Sequence, residues 1–302
     1  MKIKMMDNVL YHAISISMSL LGKIPVSAGN MAGDILGALW FAFDKKHCKL
    51  TCSNIKHAYG SEKSDVEVKI LARRVFQNIA RMLFEHTRFH GMNPEDFSRH
   101  FSLKGFENLY SAHAQGKGVL CYSCHLGNWE LFSVIPYITK LQFSVVYQTV
   151  EFAPMNRYIN EKRAFTGAAS MIPLHNALDR VKACLAKGDI AGLIVDQNVR
   201  KRHRGVFIDF FNRKACVHKG LAMLALSTKA PVLPVFTYRD KGKIYIEILP
   251  QVPLIQTEDE QKDIFDNTKV YHSIIEKQIR QYPDQWFWVH NKWKTRPLEE
   301  LE

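Results

Sequence analysis

Between Gly116 and Tyr137 the chain reads as a strand that runs straight into a helix, and this unit narrows the choice of fold more than any other stretch. Gly116-Lys117-Gly118 is a turn signal, and Val119 to Ser123 is a short apolar run rich in strand formers. From Asn128 a helical pattern begins, carried by Trp129, Leu131, Phe132, Val134 and Ile135. A strand feeding a helix leaves the connecting turn at the carboxyl end of a sheet, where open α/β folds place their chemistry. A second apolar run, Ile190–Val195, has the continuous hydrophobicity of a parallel strand covered on both faces, and Ala230–Phe236 reads as another buried strand. The expected fold is therefore α/β, with a mostly parallel central sheet covered by helices.

Weaker signals fill in the rest. Phe101–Lys104 and Phe143–Tyr147 read as strands, and Ile244–Leu249 alternates in the manner of an edge strand. Helices are expected over Glu107–Gln115, Asn156–Phe165, Asn176–Ala186, Gly220–Thr228 and Phe265–Tyr282. Ser64-Asp65-Val66-Glu67 is a capping box that opens the clearest helix, with Val68, Leu71, Val75, Ile79 and Met82 at helical spacing and an end near Gly91. Before it, the apolar run Val9–Leu21 spans only about 13 residues, too short to cross a bilayer, and makes a poor signal-peptide core. A second apolar segment, Met31–Phe43, follows at once. Two short helices joined at Gly22-Lys23-Ile24-Pro25 suit a hairpin in or against a membrane interface, or equally a pair of buried helices. The division expected is an N-terminal helical, membrane-associating region over 1–95 and an α/β catalytic region over 96–302, packed as one unit.

The strand-to-helix turn holds His125 and, five residues on, Glu130. In continuous helix the two side chains would diverge by about 140°. With His125 in the turn itself and the helix starting near Gly127, the carboxylate can reach back and fix the imidazole as a general base. Asp196-Gln197-Asn198 ends the apolar strand Ile190–Val195, so these too are site candidates by position. The same turn carries a rival pattern, since Cys121-Tyr122-Ser123-Cys124-His125 is a literal C-x-x-C-H haem-attachment motif. Its cysteines lie in or against an apolar strand, which points to buried thiols. Pairing Cys48 and Cys52 with Cys121 and Cys124 in a zinc site fits the strand-to-helix turn poorly, and free thiols in a reducing compartment are the default. A formal charge of +12 implies an anionic partner: nucleic acid, an anionic lipid surface or a phosphorylated substrate. No RNA-recognition or zinc-finger signature accompanies the charge, so nucleic acid is not the expected partner.

Ser123-Cys124-His125-Leu126-Gly127-Asn128-Trp129-Glu130 resembles the His-x4-Asp/Glu motif of glycerolipid acyltransferases, in the form found in the bacterial lipid A late (secondary) acyltransferases. Further matches follow in order. Arg163 and Gly167 stand where the family has an arginine followed by a glycine, and Asp196-Gln197 matches the family's Asp-Gln. Val206–Arg213 resembles its Phe-Phe-Gly segment, with Asn212 in place of the usual glycine, and Cys216-Val217-His218-Lys219 departs from the family's Thr-rich helix start. Asn tolerates left-handed backbone, so the turn at 212 can survive. Ala230–Phe236 and the Trp- and Lys-rich stretch Pro283–Lys294 complete a likeness running over roughly residues 8 to 297.

This resemblance implies an O-acyltransferase moving a fatty chain from an acyl-carrier-protein thioester to a hydroxyl of a lipid A precursor. His125 would be the base and Glu130 its support, with direct transfer and neither metal nor cofactor. Asn128, Asp196, Gln197 and Arg213 would contact substrate, and Arg163 would contact the active-site carboxylate or substrate. The basic loop Arg200, Arg202 and Arg204 suits a phosphorylated headgroup, and Trp286, Trp288 and Trp293 suit a boundary between water and lipid. The expected location is the cytoplasmic face of the inner membrane. A related enzyme acylating another membrane glycolipid or a lysophospholipid is the alternative, and an exported c-type haem carrier is the alternative from another class.

Overall fold

The structure is a computed structural model that describes residues 2–60, 62–89, 101–164, 169–200 and 204–300. Four helices come first: α1 (Lys2–Gly22), α2 (Val26–Phe43), α3 (Lys45–Tyr59) and α4 (Asp65–Phe89). After them the chain follows the order β1 (Phe101–Lys104), α5 (Phe106–His113), β2 (Val119–Ser123), a 3-10 helix (Trp129–Val134), α6 (Ile135–Thr139), β3 (Phe143–Tyr147), α7 (Ala153–Ala164), β4 (Ala169–Pro173), α8 (Ala177–Ala186) and β5 (Ile190–Ile194). A hairpin of β6 (Gly205–Phe210) and β7 (Arg213–His218) precedes α9 (Gly220–Thr228), β8 (Val232–Asp240), β9 (Lys243–Ile248) and α10 (Glu260–Gln281).

Seven strands form one sheet in the order β1-β9-β8-β2-β5-β3-β4, and only the β8–β9 pairing is antiparallel. The expected α/β architecture is therefore present. β2 shows why its run is apolar at every position: Leu120 and Tyr122 enter the cluster on one face, while Val119 and Cys121 enter the cluster on the other. Alternation led to a wrong reading of β9, which is not an edge strand but lies between β8 and β1. Its Ile246 and Ile248 pack into the core with Leu109 of α5. On its other face Tyr245 stacks on Tyr238 at 5.1 Å, and Glu247 accepts a hydrogen bond from the Tyr238 hydroxyl. Alternation thus reports a face with polar partners rather than a missing neighbour.

The capping box is formed: Ser64 Oγ accepts from the Glu67 amide, and the Glu67 carboxylate accepts from the Ser64 amide. Of the apolar positions on α4, Val68, Leu71, Val75 and Met82 are buried and Ile79 is partly so, while Gly91 lies outside the described residues. The β6–β7 turn places Phe211 and Asn212 at φ 52° and 56°, so Asn212 does take the left-handed conformation that glycine would have supplied.

α1 and α2 meet at a bend of 119°, and no single described helix is long and apolar enough to cross a membrane. α2 packs on α4 through Gly29, Gly33 and Gly37. A Cβ at Gly33 would stand 2.8 Å from Arg81 Cα, and one at Gly37 would stand 2.4 Å from Gln77 Cα. Only glycine permits that approach. Met31, Ile35, Leu39 and Phe43, also four residues apart, stay exposed.

The tryptophan-rich segment departs from expectation. Trp286, Trp288 and Trp293 are all buried against Phe210 and Phe211 of the hairpin, so none offers a ring to a lipid boundary. An aromatic side chain removes 150–250 Å² from water when buried. Phe210 and Phe211 of the hairpin contribute to that burial.

Candidate active site

The turn after β2 is clamped from two sides. Thr237 Oγ1 donates to the Leu126 carbonyl at 3.1 Å, the Gly127 amide donates to the Gln285 carbonyl at 3.0 Å, and the Phe287 amide donates to the His125 carbonyl at 2.9 Å. Gly127 has φ 59°, and a Cβ there would fall 2.2 Å from the Thr237 carbonyl oxygen. No other residue fits beneath this turn.

His125 finds its carboxylate on the neighbouring strand. Ser123 at the end of β2 pairs with Ile194 at the end of β5, and the Val195 amide donates to the Ser123 carbonyl at 3.1 Å. The chain then delivers Asp196 against the imidazole. Asp196 Oδ1 lies 2.7 Å from His125 Nδ1, and its Oδ2 accepts from the His125 amide at 3.0 Å and from Trp286 Nε1 at 2.7 Å. Burial alone would raise the Asp196 carboxyl. The His125 ring, the Lys292 ammonium and the Trp286 bond outweigh burial and hold it well below the usual carboxylate range. A carboxylate only accepts, so Nδ1 carries a proton, and in the neutral ring Nε2 presents its lone pair. The Gln197 amide nitrogen approaches that atom at 3.3 Å. Trp129 and Phe287 flank the ring, which keeps 18% of its side-chain surface open.

Lys292 lies behind Asp196. It is fully buried, and its Nζ donates to the Asp196 carbonyl and sits 5.0 Å from the Phe210 ring. Burial lowers its pKa to about 8. Local spacing does not single it out, because the lysines of this Trp-rich segment read as part of a boundary between water and lipid.

Glu130 does not occupy the place expected for it. Its two oxygens accept from Arg163 Nε at 2.8 Å and Nη2 at 2.6 Å, a bidentate pair that ties α7 to the 3-10 helix. Burial would raise its carboxyl, but Arg163, with lesser help from His86 and His125, holds it below the ordinary value. The partner that orients His125 is Asp196. The reason is geometric: the residues after Asn128 form a tight 3-10 turn, which carries Glu130 toward α7.

The other expected residues divide. Gln197 is at the site, whereas Arg163 meets the Glu130 carboxylate and makes no described hydrogen bond to His125 or Asp196. Asn128 is buried and turned away, donating to Glu85 at 2.9 Å, with its own Oδ1 unpartnered. Glu85 is in turn gripped by Arg239 at 2.6 and 2.7 Å. Arg213 starts β7 in the charge field of Arg296 and Glu300, and no described hydrogen bond or ion pair joins it to His125 or Asp196. Arg200 and Arg204 are exposed, whereas Arg202 and Gly167 lie outside the described residues. Cys121 and Cys124 are fully buried and point into clusters on opposite faces of the sheet. A haem joined to both thiols would require the central strand to leave the sheet, so this reading fails on geometry. Cys48 and Cys52 lie on α3, and no group of three or more metal-ligating side chains occurs among the described residues.

Residues 1–295 match the family described as bacterial lipid A biosynthesis acyltransferase. The chain belongs to that family. It is 22% identical over 284 residues to the lipid A biosynthesis palmitoleoyltransferase of Escherichia coli K12, covering 92% of this chain and 89% of the relative. The lauroyltransferase of the same organism is 24% identical over 291 residues, with the same shares covered. A phosphatidylinositol mannoside acyltransferase of Mycolicibacterium smegmatis is 21% identical over 244 residues, 80% of this chain and 77% of the relative. The protein is an O-acyltransferase.

Proposed function

We propose that this acyltransferase moves a fatty acyl group from an acyl-carrier-protein thioester to a hydroxyl of a lipid A precursor, with His125 as general base. The observation that carries the mechanism is the Asp196–His125 contact, which holds the proton of the neutral ring on Nδ1 and turns Nε2 to an open approach. Nε2 takes the proton of the acceptor hydroxyl as its oxygen attacks the thioester carbonyl. The tetrahedral oxyanion then collapses, the carbon–sulfur bond breaks, and the departing thiolate recovers the proton from the imidazolium. Asp196 stabilises that cation throughout. Base catalysis of this kind supplies about 10²–10⁴-fold. Ser123 and Cys124 are buried, so neither offers a nucleophile and transfer is direct. Glu130 and Arg163 hold α7 beside the reacting groups.

The exposed stripe Met31, Ile35, Leu39 and Phe43, together with Val9, Ile16 and Leu20 on α1, supports seating of the N-terminal region, residues 1–95, in the interface of the inner membrane on its cytoplasmic face. The catalytic region, 96–302, would then meet its lipid there, with Arg200 and Arg204 toward the phosphorylated headgroup. The mycobacterial relative favours a second reading, in which the acceptor is a different membrane glycolipid. Mass spectrometry of lipid A from cells with and without the gene, and with His125→Ala, tests both. Loss of one acyl chain in the deletion and the variant is expected. Unchanged lipid A alongside an altered second glycolipid would shift the acceptor, and no lipid change at all would refute the proposal.

A further inference from the structure

A cavity of 310 Å³ opens on the β8 side of the catalytic turn, away from the β5 side that delivers Asp196. The start of α2, the C-terminal half of α4 and the β8–β9 turn enclose it, and its lining includes Glu85, Arg239 and Gln285, which brace the turn from behind. Five cationic side chains and three carboxylates line it, leaving two positive charges in excess. One of the three carboxylates, Glu85, is already ion-paired. Glu85 is held by Arg239 and Asn128, and Asp284 accepts from Asn78. Among the cations, Arg81 is spent on Asp34.

What remains is Arg88, whose guanidinium is hydrogen-bonded to a neutral carbonyl, that of Ile24, together with Lys241 and Lys243 at the mouth. Asp240 and Asp284 line the cavity beside them, Asp284 accepting from the neutral Asn78 amide, and Glu85 lies in the field of Arg88. The two lysines are exposed and sit on a tight turn with Lys241 and Gly242 at φ 47° and 78°, which fixes the hairpin tip over the opening. With Arg81 paired to Asp34 outside the lining, one positive charge is in excess, and a phosphomonoester, with about −1.5 to −2 charges near neutrality and three acceptor oxygens, can meet Arg88, Lys241 and Lys243 together. The start of α2 also lines the cavity, with Val26 exposed, and the apolar stripe begins five residues further along the helix at Met31. A ligand filling this space therefore meets cations inside and hydrocarbon-compatible surface outside.

We propose that the cavity binds the phosphate ester of an anionic membrane lipid, at a site separate from the Arg200–Arg204 loop. The inference shares with the proposed function the seating of α1 and α2 at a membrane, but it does not depend on acyl transfer.

Vesicle flotation of the full-length protein tests it, using phosphatidylcholine vesicles with and without phosphatidic acid. Lys241→Glu with Lys243→Glu is compared with a charge-matched control on α10, Lys269→Glu with Lys277→Glu. The preference for phosphatidic acid is expected to fall roughly tenfold or more in the first variant and to persist in the control. Arg88→Gln, checked for an unchanged melting temperature, should lose part of the preference without touching the exposed lysines. Inorganic phosphate, against chloride at matched ionic strength, separates the sources. Protection of Lys241 and Lys243 from acylating reagents by phosphate alone would assign the pocket to free phosphate, and protection only by phosphatidic acid vesicles would assign it to a lipid. Equal losses in variant and control would overturn the proposal, whatever the fate of acyl transfer.

Discussion

Asp196→Asn removes one charge from the site and little volume. In the native site the carboxylate accepts three hydrogen bonds, from the His125 amide, His125 Nδ1 and Trp286 Nε1. An amide offers one acceptor oxygen and one NH2 group. If the oxygen stays with the His125 amide and Trp286, which share Oδ2, the NH2 must face Nδ1. The imidazole then places its proton on Nε2, where the acceptor hydroxyl needs a lone pair. The same substitution in a Ser-His-Asp triad lowers turnover about 10⁴-fold, so a fall of about 10³–10⁴ in kcat, near 4–5 kcal/mol of barrier, is expected. Losing a charge-assisted acceptor should cost a further 1–3 kcal/mol of stability, roughly. Single-turnover acyl transfer in vitro, run beside urea melts, separates the two effects. Glu130→Gln is the comparison. It keeps an oxygen for Arg163 and leaves Nδ1 untouched, so a fall of about tenfold is expected, with the base intact. The reasoning fails if Asp196→Asn stays within threefold of wild type while Glu130→Gln abolishes transfer.

Three further outcomes follow from the same geometry. The Glu130–Arg163 pair is largely enclosed, so Arg163→Ala should destabilise by about 3 kcal/mol, and adding Glu130→Gln should recover part of that loss; a double-mutant cycle by denaturant melts reads the coupling. Gly37→Leu would drive a side chain into the Gln77 backbone, so α2 should separate from α4 at a cost of about 1–3 kcal/mol, seen as a lower melting temperature and as proteolysis near Phe43. Asp196 and Glu130 are both held below their ordinary values of 3.8 and 4.5, so the stability they contribute is full above those values and is lost as pH falls through the lower folded ones. Urea midpoints should therefore drop on acidification below about pH 4, with a shallower acid slope in Asp196→Asn; equal slopes would refute the linkage.

Much of the site could be read along the chain because its determinants are local. A glycine-bounded apolar run, then His-Leu-Gly-Asn-Trp, encodes a strand and a tight turn within a dozen residues or so. The continuous apolar character of β5 followed by Asp-Gln encodes a buried strand with polar groups at its carboxyl end. Which carboxylate reaches His125 is a different kind of information. Asp196 arrives 71 positions later through the β2–β5 register, and Glu130, five residues away, is carried off by a 3-10 turn to Arg163.

The tryptophans show the same limit: beside lysines they look amphipathic, yet they are buried because Phe210 and Phe211 present an apolar wall that composition does not disclose. By itself, then, the sequence disclosed most strands of the sheet, the strand-to-turn unit that carries His125, and the family. Only the tertiary structure decided the partner of the imidazole, the burial of Lys292 and the cationic cavity on the β8 side. Strand formation depends on neighbours within a few residues, whereas side-chain contacts depend on register and packing between segments far apart in the chain.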